Sequence, residues 1–476
     1  MKSGAPILLL ATILLSGCFR GPVYKRPVVQ VPPTFRGQAS ADSFSLADRV
    51  WWNIYSDPLL EDLIREALGN NYDLRTAIAR TQEARAYVGV ARSAYYPSVG
   101  FDSGVQRDLG TYRFVPALNL PAAGASTHEL FIGGLSTAWE IDLWGRIRNT
   151  AAAANATYLG TEEARRGLML SLVSDVAAAY FELVELDRRL ELAHQSRDAF
   201  QATYKLFSER FGAGIGSKLQ VTRAESALAA AQTIVDDTER QIAEKENQIC
   251  VLVGRNPGAI KRSPPELGLN TPPIVPSGIP SQLLERRPDI RQAEDNLRYA
   301  LANVGVANAN FFPRIGLTTL FGRVSTDLSS LTSGSSDVWA LAASASGPLF
   351  TGGRLTKQRR AAKAVFDQAK FQYSQGVLRA FQEVSDALIA SQKLSDIEEQ
   401  QKHQVRALTE SVAIANRRYR GGLASYYEVL EAQELLYPAE FSLSQTSRDR
   451  RLVVVQLYKA LGGSWSLDDT QFANGH

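Results

Sequence analysis

The sequence predicts an α+β membrane protein, in which three chains share a twelve-stranded β-barrel that continues into a long α-helical coiled-coil tunnel. Three observations point to this fold class: an internal duplication, two strand-like stretches in each copy, and long heptad-like stretches after the strands. The composition permits such a fold, since 45% of the 476 residues are apolar. No run reaches the ~18 consecutive apolar residues of a membrane-spanning helix, so we expect any crossing to be made by strands.

The duplication is visible as residues that recur at a nearly constant offset. This offset is 216 residues up to Phe101 and 208 residues from Gly145 onward. The recurring pairs include Asp73/Asp289, Gly89/Gly305, Pro97/Pro313, Gly145/Gly353 and Gly214/Gly422. A repeat of this kind predicts that one structural unit is built twice.

The repeat and the proline distribution predict a division of the chain into six parts. A proline-rich segment is extended rather than helical, because proline fixes φ and lacks an amide donor. The parts are a lipoprotein signal peptide at 1–17, a lipidated N-terminal strap at 18–57, repeat 1 at 58–254, a proline-rich linker at 255–282, repeat 2 at 283–462 and a C-terminal tail at 463–476. Each repeat is expected to hold a helix, two barrel strands and a long helical hairpin.

The first helix of repeat 1 is predicted over Leu59–Tyr95, and Pro97 ends it. Alternation of period two follows, first near 99–106 and then over 135–143, with counterparts at 315–321 and 339–345. Apolar residues on one face and small or acidic residues on the other are typical of transmembrane barrel strands. The alternation alone fits equally well a half-buried hairpin in a soluble protein.

Long helices are predicted after Gly145 and Gly353. Apolar residues there step by three and four, which favours coiled packing of helix on helix. Each helix is broken by a glycine-rich turn, at 212–217 and at 421–425, and then resumes. We expect Ser217 and Ser425 to cap the resuming helices, so that each repeat forms a long antiparallel hairpin.

The first eighteen residues are typical of an export signal. A charged start at Lys2 precedes an apolar stretch from Ala5 to Leu15. Leu15-Ser-Gly-Cys18 then resembles the bacterial lipoprotein processing box, after which Cys18 carries a diacylglycerol and an N-acyl chain. The alternative is an ordinary secretory signal with an accidental cysteine. Phe19 favours the outer membrane, because lipoproteins of the inner membrane often carry Asp at that position.

Charge and composition exclude several classes of function. Lys and Arg total 52 and Asp and Glu total 49, so the net charge of +3 argues against nucleic-acid binding. Two cysteines rule out a disulfide scaffold, and the four histidines lie far apart in the sequence. Neither a nucleophile–base pattern nor a correctly ordered phosphate loop is present. We therefore expect no catalytic residue, no metal site and no cofactor besides the acyl chains on Cys18.

Two strands from each repeat give four strands in each chain, and four strands cannot close a barrel. Lipid does not tolerate an open sheet edge, because unpaired N–H and C=O groups find no water there. Several chains must therefore pool their strands. Three chains would supply twelve, which is enough to surround an aqueous lumen.

The chain resembles the outer-membrane factor family, the exit ducts of Gram-negative tripartite efflux systems, in its lipoprotein branch. The residues that carry the resemblance are Leu15–Cys18, Gly21–Pro27, Trp51–Leu59, Leu284–Arg291, Tyr419–Gly422 and Tyr427–Gln433. The resemblance implies a passive homotrimeric duct for small molecules that is anchored in outer-membrane lipid and extends into the periplasm. It also implies two protein partners, a periplasmic adaptor (membrane fusion) protein and an inner-membrane transporter of the RND type. That the strap at 18–57 also forms an equatorial belt is implied only by this family resemblance.

The resemblance further implies a gate at the periplasmic tips of the hairpins, where acidic side chains ring the pore. The gate residues would be Tyr419, Tyr427, Glu428, Glu431 and Glu434. The adaptor would dock on Gly212, Gly214, Gly216, Ser217, Gly421, Gly422 and Ser425. Tyr419, with Arg417 and Arg418, would connect neighbouring hairpins in the closed state. The alternative is that the glutamates are ordinary solvated helix surface.

A second class of function remains open from the sequence. A lipid-anchored periplasmic coiled-coil adaptor or tether would share the signal and the long helices but would have no pore. It would need only one hairpin and no paired amphipathic strands, which the duplication argues against.

Overall fold

The computed structural model describes residues 22–38, 57–110, 126–264, 278, 280–332 and 334–463. The chain divides into two compact units. The first takes residues 80–162 and 292–374 and the strap up to residue 28, and the second takes 29–79, 163–291 and 375–476. Cys18, residues 111–125, residues 265–277 and 279 of the proline-rich linker and the residues after Gly463 lie outside the described residues.

Both copies of the repeat contain the same order of elements. The first copy comprises α1 (Pro58–Asn70), α2 (Tyr72–Ser93), β1 (Ser98–Gly110), β2 (Ser126–Ile141), α3 (Arg146–Gly212) and α4 (Lys218–Leu252). The second comprises α5 (Pro280–Arg286), α6 (Pro288–Ala309), β3 (Arg314–Ser325), β4 (Asp337–Ser346), α7 (Arg354–Arg420) and α8 (Tyr426–Ala460). Helices α3 and α7 both have 67 residues, and α4 and α8 both have 35, so the duplication extends to the lengths of the elements.

The single helix predicted over Leu59–Tyr95 is wrong, because Asn71 separates α1 from α2. Asn71 has extended backbone angles, with φ −60° and ψ 128°. Its side-chain oxygen accepts a hydrogen bond from the amide of Leu74 at 2.9 Å, which caps α2. Its side-chain amide donates to the carbonyl of Leu252 at 3.0 Å, which holds the break against the end of α4.

The four strands form one antiparallel sheet in the order β1-β2-β3-β4. Large apolar side chains alternate along the strands on one face and are exposed. They are Val99, Phe101, Val105, Leu135, Trp139, Phe321, Trp339 and Leu341. A soluble hairpin would bury this face, so the exposure favours barrel strands whose apolar face meets lipid. Within the part of the chain that the structure describes, strands β1 and β4 have a strand neighbour on one side only.

Strand β2 is longer than the predicted 135–143. It begins at Ser126 and ends at Ile141, so Leu143 lies outside it. Gly133 and Gly134 interrupt the apolar alternation in the middle of β2, so the alternation did not predict the residues before 135 as part of the strand. Gly134 lies opposite Gly322 of β3. A Cβ added at Gly134 would lie 2.8 Å from the carbonyl oxygen of Phe321, so the close approach of β2 and β3 requires glycine there.

The core of the second unit consists of heptad positions on the long helices. In α3 the fully buried side chains include Val176, Ala177, Tyr180, Leu183 and Val184. In α7 the predicted positions Val377, Phe381 and Val384, which step by four and three, are buried, and Ala380 and Ala387 are buried beside them. Each fully buried aliphatic side chain contributes about 1.5–3 kcal/mol. One 18-residue window of α3 is apolar enough to cross a membrane, but 61% of that window is buried inside the protein.

Two segments of the second unit, the residue before α1 and the start of the linker after α4, are held against the long helices by polar contacts. Asp57 caps α1 and accepts a hydrogen bond from the buried Tyr180 hydroxyl at 2.7 Å. Where the linker begins, Arg262 donates to Asp187 at 2.5 and 2.8 Å and to Glu246 at 2.5 Å. These contacts attach the described start of the linker to α3 and α4.

In the first unit, the N-terminal strap binds the buried carboxylate of Glu294 on α6. The Tyr24 hydroxyl donates to Glu294 at 3.0 Å, and Arg26 donates at 2.6 and 3.0 Å. Burial opposes the ionisation of Glu294, but its bonds to Arg26 and Tyr24 outweigh burial and lower its pKa. An ionised Glu294 therefore holds the extended strap on α6.

Candidate site at the tips of the helical hairpins

The two hairpin tips are turns of the same length with the same closing hydrogen bonds. In the first turn, the backbone amide of Ile215 donates to the carbonyl of Arg210, and the amide of Gly214 donates to the carbonyl of Phe211. In the second, Leu423 and Gly422 make the equivalent bonds. Gly214 (φ 77°) and Gly422 (φ 70°) occupy the left-handed region, which this helix-ending motif requires.

The helices that follow the tips begin differently. The Ser217 side chain accepts from the amide of Leu219 at 3.2 Å, and the Gln220 side chain accepts from the amide of Ser217 at 3.2 Å. The two bonds form a capping box at the start of α4. Ser425 makes no side-chain cap, so the predicted cap of α8 by Ser425 is wrong. Tyr426, the residue after it, is instead directed into an aromatic cluster.

Tyr426 is the centre of the contacts between the two hairpins. Its hydroxyl lies 2.5 Å from that of Thr203 on α3. Its ring meets Phe207 edge to face at a centroid distance of 5.1 Å and meets Tyr419 at 4.9 Å. Burial raises the pKa of Tyr426, so this hydroxyl stays protonated and able to donate.

Tyr419 and Tyr427 make further contacts from the second hairpin to the first. Arg210, near the end of α3, donates to the Tyr419 hydroxyl at 3.0 Å. Arg223, on α4, lies over the ring of Tyr427 at 5.9 Å from its centroid. Tyr419 thus connects the two hairpins of this chain through Arg210. Arg418 instead lies 3.7 Å from Glu428 within its own hairpin.

The acidic side chains at the start of α8 fall into two groups. Glu428 is half-exposed and pairs with Arg418, and surface pairs of this kind contribute at most about 1 kcal/mol. Glu431 and Glu434 are exposed and have no ion-pair partner among the described residues. Tyr427, Glu431 and Glu434 share one exposed face of α8, as their spacing predicted.

The tip residues predicted for docking are mostly exposed and are flanked by exposed apolar side chains. Gly216 is half-buried, and a Cβ there would lie 2.8 Å from the backbone nitrogen of Phe211. The exposed apolar neighbours of the turns are Phe211, Ile215, Leu219 and Leu423. Such side chains around two glycine turns leave an apolar surface at the end of each hairpin.

Sequence reasoning missed four residues of this site, namely Thr203, Phe207, Arg210 and Tyr426. The spacing by four and three of the aromatic residues Phe200, Tyr204, Phe207 and Phe211 indicated that one face of α3 is packed. It did not identify the helix that packs against this face. At the offset of 208, Tyr426 corresponds to Lys218 and Tyr419 to Phe211. This asymmetry between the copies was the available signal. Within the described part of the chain, no group of His, Cys, Asp and Glu is placed to hold a metal ion.

This fold, with duplicated barrel strands and long helical hairpins, defines an outer-membrane channel. A family model described as outer membrane efflux protein matches residues 63–255 and 279–463. The chain is 33% identical over 468 residues to the toluene efflux pump outer membrane protein TtgC of Pseudomonas putida, which covers 96% of this chain and 95% of that protein. It is 31% identical over 468 residues to a protein of Salmonella typhimurium named "Probable outer membrane lipoprotein SilC", covering 96% of this chain and 98% of that one.

A solved structure of the outer-membrane channel OprN has the same fold. Its TM-score to this chain is 0.85 at 30% identity, over 94% of this chain and 100% of that one. The chain therefore belongs to the outer membrane efflux protein family. The predicted fold class, the location in the outer membrane and the function as the outer-membrane channel of an efflux system are confirmed. This is a family of transport channels rather than of enzymes.

Proposed function

We propose that three copies of this chain form one passive duct through which small molecules leave the cell across the outer membrane. The observation that carries the proposal is the four-stranded sheet, whose two edges pair with no other described strand and whose apolar face is exposed. In lipid each unpaired backbone group costs several kcal/mol, so a sheet of four strands needs neighbours on both sides. Three chains supply twelve strands, which close a barrel with a lumen.

The partners in this proposal are a periplasmic adaptor and an inner-membrane transporter of the RND type. Neither a nucleotide loop nor a catalytic arrangement was found in the sequence, so the energy for export comes from the transporter. The adaptor docks on the two glycine turns, Gly212–Ser217 and Gly421–Ser425. The exposed apolar side chains of Ile215, Leu219 and Leu423 beside these turns support docking of a protein there.

The gate in this proposal lies at the start of α8. Threefold symmetry turns Glu431 into a ring of three carboxylates around one axis, and Glu434 adds a second ring. Like charges that face each other resist full closure and attract cations. The contacts of Tyr419, Tyr426 and Tyr427 with the first hairpin favour the closed arrangement. Opening requires the second hairpin to move away from these contacts.

The membrane anchor in this proposal is the lipid on Cys18. Cys18 lies outside the described residues, so the proposal depends on the processing box in the sequence and on the name of the relative SilC. Two or more acyl chains give stable attachment, at about 0.8 kcal/mol for each buried CH₂. The division of the chain at residues 17, 57, 254, 282 and 462 likewise stays a prediction.

Planar bilayers test the duct directly. Purified full-length protein is expected to insert in steps of equal conductance and to carry a cation-selective current. A coiled-coil tether without a pore would leave the bilayer silent at every protein concentration, and that result would overturn the proposal. Heat-denatured protein at the same concentration serves as the control for leakage caused by detergent.

A further inference from the structure

The first turns of α7 carry an exposed basic surface. Residues 354–370 hold six basic residues and one acidic residue. The basic residues are Arg354, Lys357, Arg359, Arg360, Lys363 and Lys370. All of them except Arg359 are exposed, and among the described residues none of the six has an ion-pair partner. Lys357, Arg360 and Lys363, the basic face of α7, step by three and therefore lie on one side of the helix.

The first repeat has no such face at the start of α3. At the offset of 208, the counterparts of the basic face are Asn149, Ala152 and Asn155. The helix therefore does not need basic residues at these positions in order to continue from the sheet. Their presence in the second repeat alone points to a partner that only the second repeat binds.

The first repeat also neutralises the arginines that it has at this level. Arg146 lies 2.7 Å from Glu140, and Arg148 lies 3.2 Å from Asp142. In the second repeat the counterparts of these two acidic residues are Pro348 and Phe350. The positive charge at the start of α7 is thus left without the carboxylates that balance it in the first repeat, so an anion from outside the chain fits there.

Aromatic side chains surround the end of the sheet from which α7 follows. Trp139, near the end of β2, is exposed on the apolar face. The ring of Trp144 stacks on that of Phe312 at a centroid distance of 4.6 Å, and Arg359 of α7 lies over the ring of Phe311 at 5.1 Å. Aromatic residues at the ends of barrel strands are typical of the boundary between lipid and water. The first turns of α7 therefore begin at the level of the lipid headgroups.

The basic face lies close enough to this boundary to reach the headgroups. Strand β4 ends at Ser346 and α7 begins at Arg354. Between them Phe350 is 91% exposed, as expected of an apolar side chain at a lipid surface. The helix from Arg354 to Lys363 covers about 14 Å, and long Lys and Arg side chains extend toward a charged surface.

We propose that the basic face of α7 binds the phosphate groups of anionic phospholipids in the leaflet of the outer membrane that faces the periplasm. Each basic residue close to an anionic lipid surface strengthens binding about fivefold, and salt weakens the attraction. The bound lipid holds the start of α7 at a fixed height below the sheet. The inference needs the sheet to lie in the membrane, but it does not need three chains.

Native mass spectrometry of the full-length protein in detergent tests the site. The protein is titrated with phosphatidylglycerol and, separately, with phosphatidylcholine of the same acyl chains. The parent is expected to bind phosphatidylglycerol at least tenfold more tightly. The triple variant Lys357→Gln, Arg360→Gln and Lys363→Gln should weaken phosphatidylglycerol binding about fivefold for each lost charge and leave phosphatidylcholine binding unchanged.

Two further variants separate the site from total charge and from misfolding. The first removes three exposed basic residues that lie elsewhere on α3 and α7 and have no ion-pair partner among the described residues. Its changes are Lys205→Gln, Arg379→Gln and Arg406→Gln, and it should bind phosphatidylglycerol like the parent. The second keeps every charge of the basic face, by Lys357→Arg, Arg360→Lys and Lys363→Arg, and should also retain parental binding.

Three results would overturn the lipid site. The first is a parent that does not prefer phosphatidylglycerol, and the second is an equal loss of binding in the two triple Gln variants. The third is parental lipid binding in the basic-face Gln variant together with a raised cation preference in planar bilayers, which would place the face in the lumen. A lipid preference shown by a species of one chain would instead overturn the proposed duct and leave the lipid site intact.

Discussion

The hydroxyls of Tyr426 and Thr203 lie 2.5 Å apart and join the second helical hairpin of the chain to the first. Tyr426 follows the glycine turn of the second hairpin, and Thr203 lies on α3 of the first. The bond is partly buried, and the ring of Tyr426 packs against the rings of Phe207 and Tyr419. A hydrogen bond shielded in this way stabilises the arrangement of the hairpins in which it forms.

Removal of this hydrogen bond should favour the open channel. Tyr426→Phe keeps the ring contacts and deletes only the hydroxyl. The net loss is about 1 kcal/mol, or roughly a fivefold shift toward the open state. The open fraction of single channels in planar bilayers measures it. Thr203→Val should act in the same direction, and the double variant should add little to either single change.

Tyr437 offers a matched control on the same helix. Its ring packs against Phe200 at 5.8 Å, and its hydroxyl has no hydrogen-bond partner among the described residues. Tyr437→Phe should leave the open fraction unchanged. An equal effect of Tyr437→Phe and Tyr426→Phe would show that the Thr203 bond is not what holds the tip.

Charge removal at Glu431 should reduce cation selectivity. Glu431→Gln removes three carboxylates from one ring in the trimer while it keeps the size of the side chain. The preference for potassium over chloride, measured as a reversal potential across a salt gradient, should fall, and Glu434→Gln should act in the same direction. Glu225→Gln, which removes an exposed charge on α4, is the control. Parental selectivity in both Glu431→Gln and Glu434→Gln would place the gate elsewhere.

The first glycine turn should tolerate a methyl group at Gly212 but not at Gly216. A Cβ at Gly216 would lie 2.8 Å from the backbone nitrogen of Phe211, whereas nothing lies within 4 Å of one at Gly212. Gly216→Ala should therefore distort the turn and weaken adaptor docking, measured as efflux-dependent resistance at equal protein level. Gly212→Ala should retain parental resistance. Equal resistance in the two variants would argue against docking at this turn.

Replacement of the buried carboxylate of Glu185 should stabilise the protein at neutral pH. Glu185 is fully buried on α3, its oxygens have no hydrogen-bond partner among the described residues, and its nearest cation is Arg448 at 3.7 Å. Burial raises the pKa of Glu185 above its ordinary value of 4.5. A raised folded-state pKa means that stability falls as pH rises from about 4.5, because ionisation is easier in the unfolded chain.

Glu185→Gln should therefore raise the thermal midpoint at pH 7, by about 1 °C for each kcal/mol gained in a chain of 476 residues. The advantage should shrink as the pH falls through 4.5, because below that pH the parent carboxyl is protonated in both the folded and the unfolded state. Glu182→Gln is the control, since it removes the partly exposed ion pair with Lys245 and should lower the midpoint slightly. A midpoint for Glu185→Gln below that of the parent at pH 7 would contradict the argument. Helical circular dichroism follows the transition.

The sequence predicted the repeating architecture because its signals are periodic. The heptad spacing around Val377 and Val384 and the alternation around Phe101 reflect burial and exposure along one helix or strand, which a linear pattern records. The break at Asn71 was missed because a single polar residue that caps a helix and binds Leu252 leaves no change in composition. The first half of β2 was missed because Gly133 and Gly134 serve the close approach to β3.

The candidate site was only partly predictable. Tyr427, Glu431 and Glu434 share a helix face that spacing alone specifies. The contacts of Tyr426 with Thr203 and of Tyr419 with Arg210 join residues more than 200 positions apart. A pattern within one helix does not identify a partner on another helix, so these contacts required the structure.

A single chain does not satisfy its sheet edges in lipid, whereas three chains do so together in the proposed duct. The most direct measurement is the mass of the detergent-extracted complex by native mass spectrometry. We expect a complex of three chains that survives dilution and forms the conducting species. A stable, folded species of one chain, with no larger complex at any concentration, would contradict it.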